Sequence, residues 1–331
     1  MIGRRVSLAC FFAVAALAVP GARAEDGYEL WLRYVTVSDG DLLARYRASI
    51  SEVVFEAPSP TLRSARGELL RGLRGLLGTE VPLSRDATRE GALVVGMPET
   101  SRVVDSPAVR AYLEGAGDEG FVIRSATIGG RRATVIGANS DVGVLYGVFR
   151  FLRLLQTHAS LEDLSLVEAP RVRLRLLNHW DNLDRTVERG YAGFSLWDWH
   201  KLPDYLSPRY TDYARANASI GINGTVLTNV NADATALTAE YIEKAAALAD
   251  VFRPWGIRVY LTARFSAPIE IGGLETADPL APEVAAWWRE KAAEIYRAIP
   301  DFGGFLVKAN SEGQPGPQDY GRSHADGANM L

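Results

Sequence analysis

The chain has 331 residues, 47% of them hydrophobic, and carries 36 basic against 40 acidic residues for a net charge of −4. An acidic balance repels phosphate backbones, which sets nucleic acid aside as a partner. Its one cysteine, Cys10, lies in an N-terminal apolar segment, so the rest of the chain has no cysteine nucleophile, disulfide or thiolate metal site.

Residues 1–24 read as a signal peptide. Arg4 and Arg5 form a basic start, Val6 to Val19 are almost all apolar, and Ala22-Arg23-Ala24 has the small-x-small pattern of a cleavage site. The apolar run is shorter than the roughly 20 residues of a membrane span, and no later stretch qualifies. The expectation is an exported protein, periplasmic or extracellular, without stable membrane insertion. Taking Arg4, Arg5 and Arg23 from the 36 basic residues leaves 33 against 40 acidic ones, a net of −7. The 307 residues that remain of 331 are enough for two domains with cores of their own.

From residue 25 to 168 short strands and helices alternate. Val53 to Glu56 reads as a strand, and Thr61 to Leu77 as an amphipathic helix whose apolar set is Leu62, Leu69, Leu70, Leu73, Leu76 and Leu77. Leu93 to Gly96 reads as a buried strand. Gly120 to Arg124 and Arg132 to Gly137 flank Ile128-Gly129-Gly130 as a hairpin, and Asp141 to Leu155 as a helix. The pattern predicts one small α/β domain.

A different rhythm starts after Glu168-Ala-Pro170. Strand-like runs at Val172 to Leu177, Gly224 to Thr228, Arg258 to Ala263 and Phe302 to Val307 are interleaved with helices at Ala239 to Phe252 and Glu283 to Ala298. Strand, loop and helix in repetition are the mark of parallel β/α units. Residues 169–331 are therefore expected to form the first four units of a (β/α)₈ TIM barrel. Four units leave two unpaired strand edges and an open inner face, so the barrel is read as truncated and the chain as the front part of a longer protein.

In such barrels the active site lies at the C-terminal ends of the strands. Here those ends are polar and aromatic: Asn178-His-Trp180-Asp-Asn182, Asn229-Val230-Asn231, Arg264, and Lys308-Ala-Asn-Ser-Glu312. Glu312 is the candidate proton donor, with Trp180 as an apolar wall that would help raise its pKa. Lys308, last residue of its strand, is a candidate cation for an anionic ligand. Trp197 and Trp199 fit either a carbohydrate cleft or the core. Asp181 and Asp198 read as loop caps. His179, His200 and His324 have no zinc spacing, and Gly129-Gly130 and Gly272-Gly273 are turns, not nucleotide loops; neither a metal nor a cofactor is expected.

With these residues in place the chain resembles the family 67 glycoside hydrolases, the xylan α-glucuronidases. The segments that carry the likeness include Glu25-Asp-Gly-Tyr28, Asn178-His-Trp-Asp-Asn-Leu-Asp184, Glu188-Arg-Gly-Tyr191, Trp197-Asp-Trp199, Asn229-Val-Asn231 and Lys308-Ala-Asn-Ser-Glu312-Gly-Gln-Pro-Gly-Pro317. The resemblance implies an inverting hydrolase that removes α-1,2-linked (4-O-methyl)glucuronic acid from xylooligosaccharides, without a cofactor. It implies that Glu312 is the general acid, that Lys308 holds the uronic carboxylate, and that Trp180 and Val230 sheathe the sugar and its methyl group. It also implies a homodimer in full-length form, and a general base on later barrel strands, so that this stretch alone is expected to be inactive. A non-catalytic carbohydrate-binding remnant of a glycosidase barrel is the alternative.

Overall fold

The computed structural model describes residues 26–308, 313 and 315–331. The expected signal peptide and Glu312 both lie outside the described residues. The chain divides into two units: of the first, residues 26–33 are described, and the second is Tyr34–Leu331. Within the first, the chain turns on itself through Leu30 N–H to Gly27 O at 3.1 Å and Leu32 N–H to Glu29 O at 2.9 Å.

The second unit holds two sheets. Its first elements are helix α1 (Gly40–Ser49), strand β1 (Glu52–Phe55), helix α2 (Pro60–Leu77), and strands β2 (Leu83–Ser84) and β3 (Ala92–Gly96). Helix α3 (Pro107–Leu113), strands β4 (Phe121–Ile128) and β5 (Arg131–Ala138), helix α4 (Asp141–Gln156) and strand β6 (Ser165–Glu168) follow. The six strands form one mixed sheet in the order β2-β1-β3-β5-β4-β6.

Local chemistry explains these elements. Ser59 caps α2 by accepting from Leu62 N–H, Pro60 opens it, and Gly78 closes it in the left-handed region at φ 64°. The buried face of α2 comprises Leu62, Leu69, Leu73, Leu76 and Leu77, at the spacing of an amphipathic helix. The hairpin turns at Gly129 and Gly130, φ 56° and 80°, and pairs Ile128 with Arg131. Two successive positive φ values are what a two-residue hairpin of the right twist requires. Glu52 in β1 is wholly buried but accepts from Ser84 Oγ at 2.7 Å, Thr88 N–H at 2.6 Å and Arg89 N–H at 2.8 Å. Burial raises its pKa, and these hydrogen bonds outweigh burial and leave the carboxyl below its ordinary range.

The second sheet begins with strand β7 (Leu176–Asn178), then helix α5 (Pro208–Ala218), strand β8 (Gly224–Val226), helix α6 (Ala239–Phe252) and strand β9 (Arg258–Arg264). Helices α7 (Ala267–Glu270) and α8 (Pro282–Ala298), strand β10 (Gly304–Lys308) and helix α9 (His324–Met330) complete the chain. The order is β10-β9-β8-β7, with every pair parallel. Strands that follow their chain order and are separated by helices make half of a (β/α)₈-type barrel. Gly224 and Gly303 leave room for the Tyr260 ring: a Cβ would fall 2.7 Å from it at Gly224 and 2.3 Å at Gly303.

The first barrel strand departs from the sequence expectation. The run from Val172 narrows to Leu176–Asn178, and Val172 and Leu174 are exposed. The cause is Arg175, whose Nη1 donates back to Val172 O at 2.6 Å and Arg173 O at 3.2 Å. The chain curls around its own guanidinium before pairing can begin.

Among the described residues no helix is long and apolar enough to cross a membrane.

Candidate functional site

The exits of β7, β8 and β10 gather three of the four expected site residues. Lys308 ends β10 beside Arg264 of β9. It is 4% exposed, so it is not a strand-end lysine reaching into solvent. Its Nζ donates to Asn231 Oδ1 at 2.7 Å. Val230, half-buried, occupies the turn after β8, between Asn229 and Asn231. Trp180 follows β7 and is 45% exposed, an indole face presented rather than packed away.

The loop that carries Trp180 is pinned from several sides. Isolated bridges pair Asp181 with Val187 and Thr186 with Phe194, and Glu188 N–H donates to Trp180 O at 2.7 Å. The buried Asp181 carboxylate accepts from Ser195 Oγ at 2.6 Å and Leu196 N–H at 3.2 Å. Its backbone carbonyl accepts from Asn229 N–H at 2.8 Å. Asp181 is therefore spent on loop structure, as is Asp198, which pairs with Arg185 at 3.2 Å. Both agree with the reading as loop residues.

Beneath Trp180 the packing is aromatic. His179 Nε2 lies 2.7 Å from Tyr213 Oη, and Tyr213 Oη lies 2.9 Å from Thr225 Oγ1 of β8. Burial pushes the Tyr213 hydroxyl well above its ordinary range, so it stays protonated and can donate. Trp197 is wholly buried among the rings of His179, Tyr210, Tyr213 and Phe252, with centroids 5.1 to 5.7 Å away. Trp199 is buried as well. Of the two uses left open for Trp197 and Trp199, core packing is the one realised, whereas Trp180 is half-exposed.

Tyr213 was not legible as a site residue, because it sits on α5, a helix with few aliphatic residues. The signal available was Ser207-Pro208, with Ser207 capping through Arg209 N–H and Pro208 opening the helix. The asparagines at the strand exits were legible as polar residues but not as a connected set. Asn231 N–H donates to Asn229 Oδ1 at 2.9 Å, and Asn229 Nδ2 donates to Asn182 Oδ1 at 3.1 Å. Asn182 Nδ2 in turn donates to Glu188 O at 2.6 Å and Thr186 Oγ1 at 2.9 Å. A hydrogen-bonded chain thus runs from Lys308 to the Trp180 loop. Arg264 braces the neighbouring exit, donating to Glu270 Oε1 at 2.7 Å and Ala232 O at 3.3 Å. Among the described residues no group of three or more His, Asp or Glu side chains is placed to hold a metal ion.

Comparison with known proteins decides the family. The model of the glycosyl hydrolase family 67 middle domain matches residues 154–331, and that of the family 67 N-terminus matches residues 30–151. The chain belongs to glycoside hydrolase family 67. It is similar to alpha-glucuronidase A of Emericella nidulans, 37% identical over 339 residues, which cover 97% of this chain and 38% of that protein. It is also similar to the probable alpha-glucuronidase A of Aspergillus oryzae, 37% identical over 93% of this chain and 36% of the relative, and to that of Neosartorya fischeri, 38% identical over 94% and 36%. The family 67 chain thus spans little more than a third of the length of these curated relatives. Among solved structures, a GH138 enzyme targeting pectin rhamnogalacturonan II shares the fold with a TM-score of 0.54 at 20% identity, over 77% of this chain and 30% of that one.

Proposed function

We propose that this family 67 chain supplies the acid-sugar-binding and proton-donating part of an α-glucuronidase, which releases α-1,2-linked glucuronic acid or its 4-O-methyl ether from xylooligosaccharides. The observation that carries the reading is the buried Lys308 ammonium, 2.7 Å from Asn231 Oδ1 and joined by hydrogen bonds to the loop of the exposed Trp180. A fixed cation and a flat aromatic face together suit a sugar ring that bears a carboxylate. The relatives bear the name of the same activity.

In this reading Glu312, four residues beyond Lys308, protonates the leaving xylosyl oxygen. Trp180 and Val230 line the apolar side of the sugar, and Lys308 holds its carboxylate. An inverting site needs a second carboxyl group ~6.5–9.5 Å from the first, with water between them. We assign that general base to the part of the relatives that this chain does not span. Turnover is then expected only where the barrel is complete.

The reading extends to organisation. Residues 1–24 are a signal peptide, 25–168 the N-terminal α/β domain and 169–331 the opening units of the catalytic barrel. The complete protein is exported to the periplasm or medium and forms a homodimer.

The test is incubation of a protein with the complete barrel with aldotriouronic acid, followed by NMR of the first-formed product. Release of β-glucuronic acid from the α-linked substrate supports inversion by this site. Failure to release the uronic acid, or release of the α anomer first, contradicts it.

A further inference from the structure

We infer that Tyr213 is a positioning residue: its hydroxyl donates to Nε2 of a neutral His179 ring protonated at Nδ1, and the ring so held fixes the side of the chain on which Trp180 meets the sugar. The inference rests on the reading of Trp180 as the apolar wall of the sugar site.

The direction of each hydrogen bond follows from its neighbours. His179 Nδ1 lies 3.6 Å from Asp181 Oδ1, on a residue that is 4% exposed. A bare ring nitrogen there would set its lone pair against a carboxylate oxygen, whereas an Nδ1–H faces that oxygen favourably. Nδ1 therefore carries the proton, and Nε2 of the neutral ring is left as an acceptor. Its neighbour at 2.7 Å is Tyr213 Oη, which burial keeps protonated. Tyr213 then gives its proton to His179 and accepts from Thr225 Oγ1 at 2.9 Å. One directed series results, from Thr225 of β8 through Tyr213 of α5 to His179 and Asp181.

Trp180 stands between the last two members of that series. The His179 N–H still pairs with β8, donating to Val226 O at 3.1 Å, so the chain is extended here and its side chains alternate. His179 and Asp181 share the face that looks towards α5 and the Trp197 ring, 5.2 Å from the imidazole by centroids. Alternation puts the Trp180 side chain on the opposite face, and it is accordingly half-exposed. On one side the backbone at Trp180 is held by Glu188 N–H, which donates to Trp180 O at 2.7 Å. On the other, the hold is the His179 ring, and the Tyr213 hydroxyl is what keeps that ring from turning.

The experiment uses the protein with the complete barrel. A neutron crystal structure at about pH 8, above the ordinary range of a histidine, should show hydrogen on His179 Nδ1 and the Tyr213 hydroxyl hydrogen directed at His179 Nε2. Hydrogen on Nε2, alone or together with Nδ1, overturns the inference. KM and kcat for aldotriouronic acid are then compared in Tyr213→Phe, Trp180→Ala and the double variant. Tyr213→Phe is expected to raise KM about fivefold, the effect of one lost hydrogen bond, with kcat within about twofold, because a misplaced wall weakens ground state and transition state alike. In the Trp180→Ala background the same substitution should change KM by less than about twofold, since no indole is left to aim. Equal fold-changes in the two backgrounds would show that Tyr213 acts on the fold rather than through Trp180, and would overturn the inference. Should Tyr213→Phe fail to fold, His179→Asn, which keeps a donor near the Nδ1 position and removes the acceptor at Nε2, takes its place in the same cycle. If Trp180→Ala itself leaves KM unchanged, the reading of Trp180 fails and the inference with it; if Trp180→Ala raises KM while Tyr213→Phe leaves it unchanged, only the inference fails.

Discussion

Arg215 Nε of α5 lies 2.6 Å from Glu68 Oε2 of α2, both side chains buried, so that an ion pair joins a helix of the mixed sheet to a helix of the half-barrel. Tyr34 Oη donates to the other oxygen, Glu68 Oε1, at 2.5 Å. Burial, with Glu68 beside it, pushes the Tyr34 hydroxyl far above its ordinary range, which keeps it a donor. Because α5 also bears Tyr213 beneath His179, this pair holds the helix on which the Trp180 loop rests.

Removing one partner of a buried pair strands the other charge. Arg215→Met is therefore expected to lower stability by about 3–5 kcal/mol, whereas Arg215→Met combined with Glu68→Leu should cost less than the sum of the single changes. Urea unfolding at neutral pH measures both. Additivity between the two substitutions would show that the pair is not coupled.

Glu52 gives the molecule an acid-sensitive point. Its carboxyl is held below the ordinary range in the folded state, so the unfolded chain binds its proton more readily. The contribution to stability is present above the unfolded pKa of ~4.3 and is lost as pH falls through the folded value. Glu52→Gln should destabilise the protein by roughly 1–3 kcal/mol at pH 7, and the gap to wild type should narrow below about pH 4. Thermal melts across that range provide the check; a gap that widened in acid would contradict the assignment.

Trp180 and Trp197 should behave as opposites. Trp197→Ala empties a fully buried site among four rings and is expected to cost about 3–5 kcal/mol. Trp180→Ala, on a half-exposed face, should change stability by no more than about 0.5 kcal/mol yet raise KM for an aldouronic acid about tenfold, equivalent to ~1.4 kcal/mol. Melting temperatures and steady-state kinetics on the two variants separate the roles.

Val230 tests the methyl sheath. Burying one carbon unit is worth ~0.8 kcal/mol, or about fourfold. Val230→Ser should therefore reduce any preference for the 4-O-methyl substrate over the unmethylated one by about that factor. Paired kcat/KM values on the two substrates read it directly, and an unchanged ratio would remove Val230 from the site.

Most of the architecture was legible because its signals are local. The leucines of α2, the Gly129-Gly130 turn and the apolar runs of β8, β9 and β10 each declare themselves within a short window. What escaped depends on distant partners. Strand β7 is shorter than its apolar run because Val172 and Leu174 look like strand residues, and the hydrogen bonds of the Arg175 guanidinium show why they do not pair. Helix α5 hides behind tyrosines, alanines and polar residues whose contacts are with distant elements, among them α6 and the Trp197 cluster. At the site, residue types at strand ends pointed to Lys308, Trp180 and Val230, but the asparagine series that ties their loops together runs from Asn182 through Asn229 to Asn231 and has no spacing that a sequence could announce. The division between core and site tryptophans was likewise invisible until burial separated Trp197 and Trp199 from Trp180.

Glu312 is the proposed proton donor, and the decisive variant is Glu312→Gln in the protein with the complete barrel, measured as single-turnover release of uronic acid from aldotriouronic acid alongside its binding affinity. Turnover should fall by at least about a hundredfold while affinity stays near that of the wild type. Turnover within a fewfold of wild type would show that the proton comes from elsewhere and that Glu312 is not the donor.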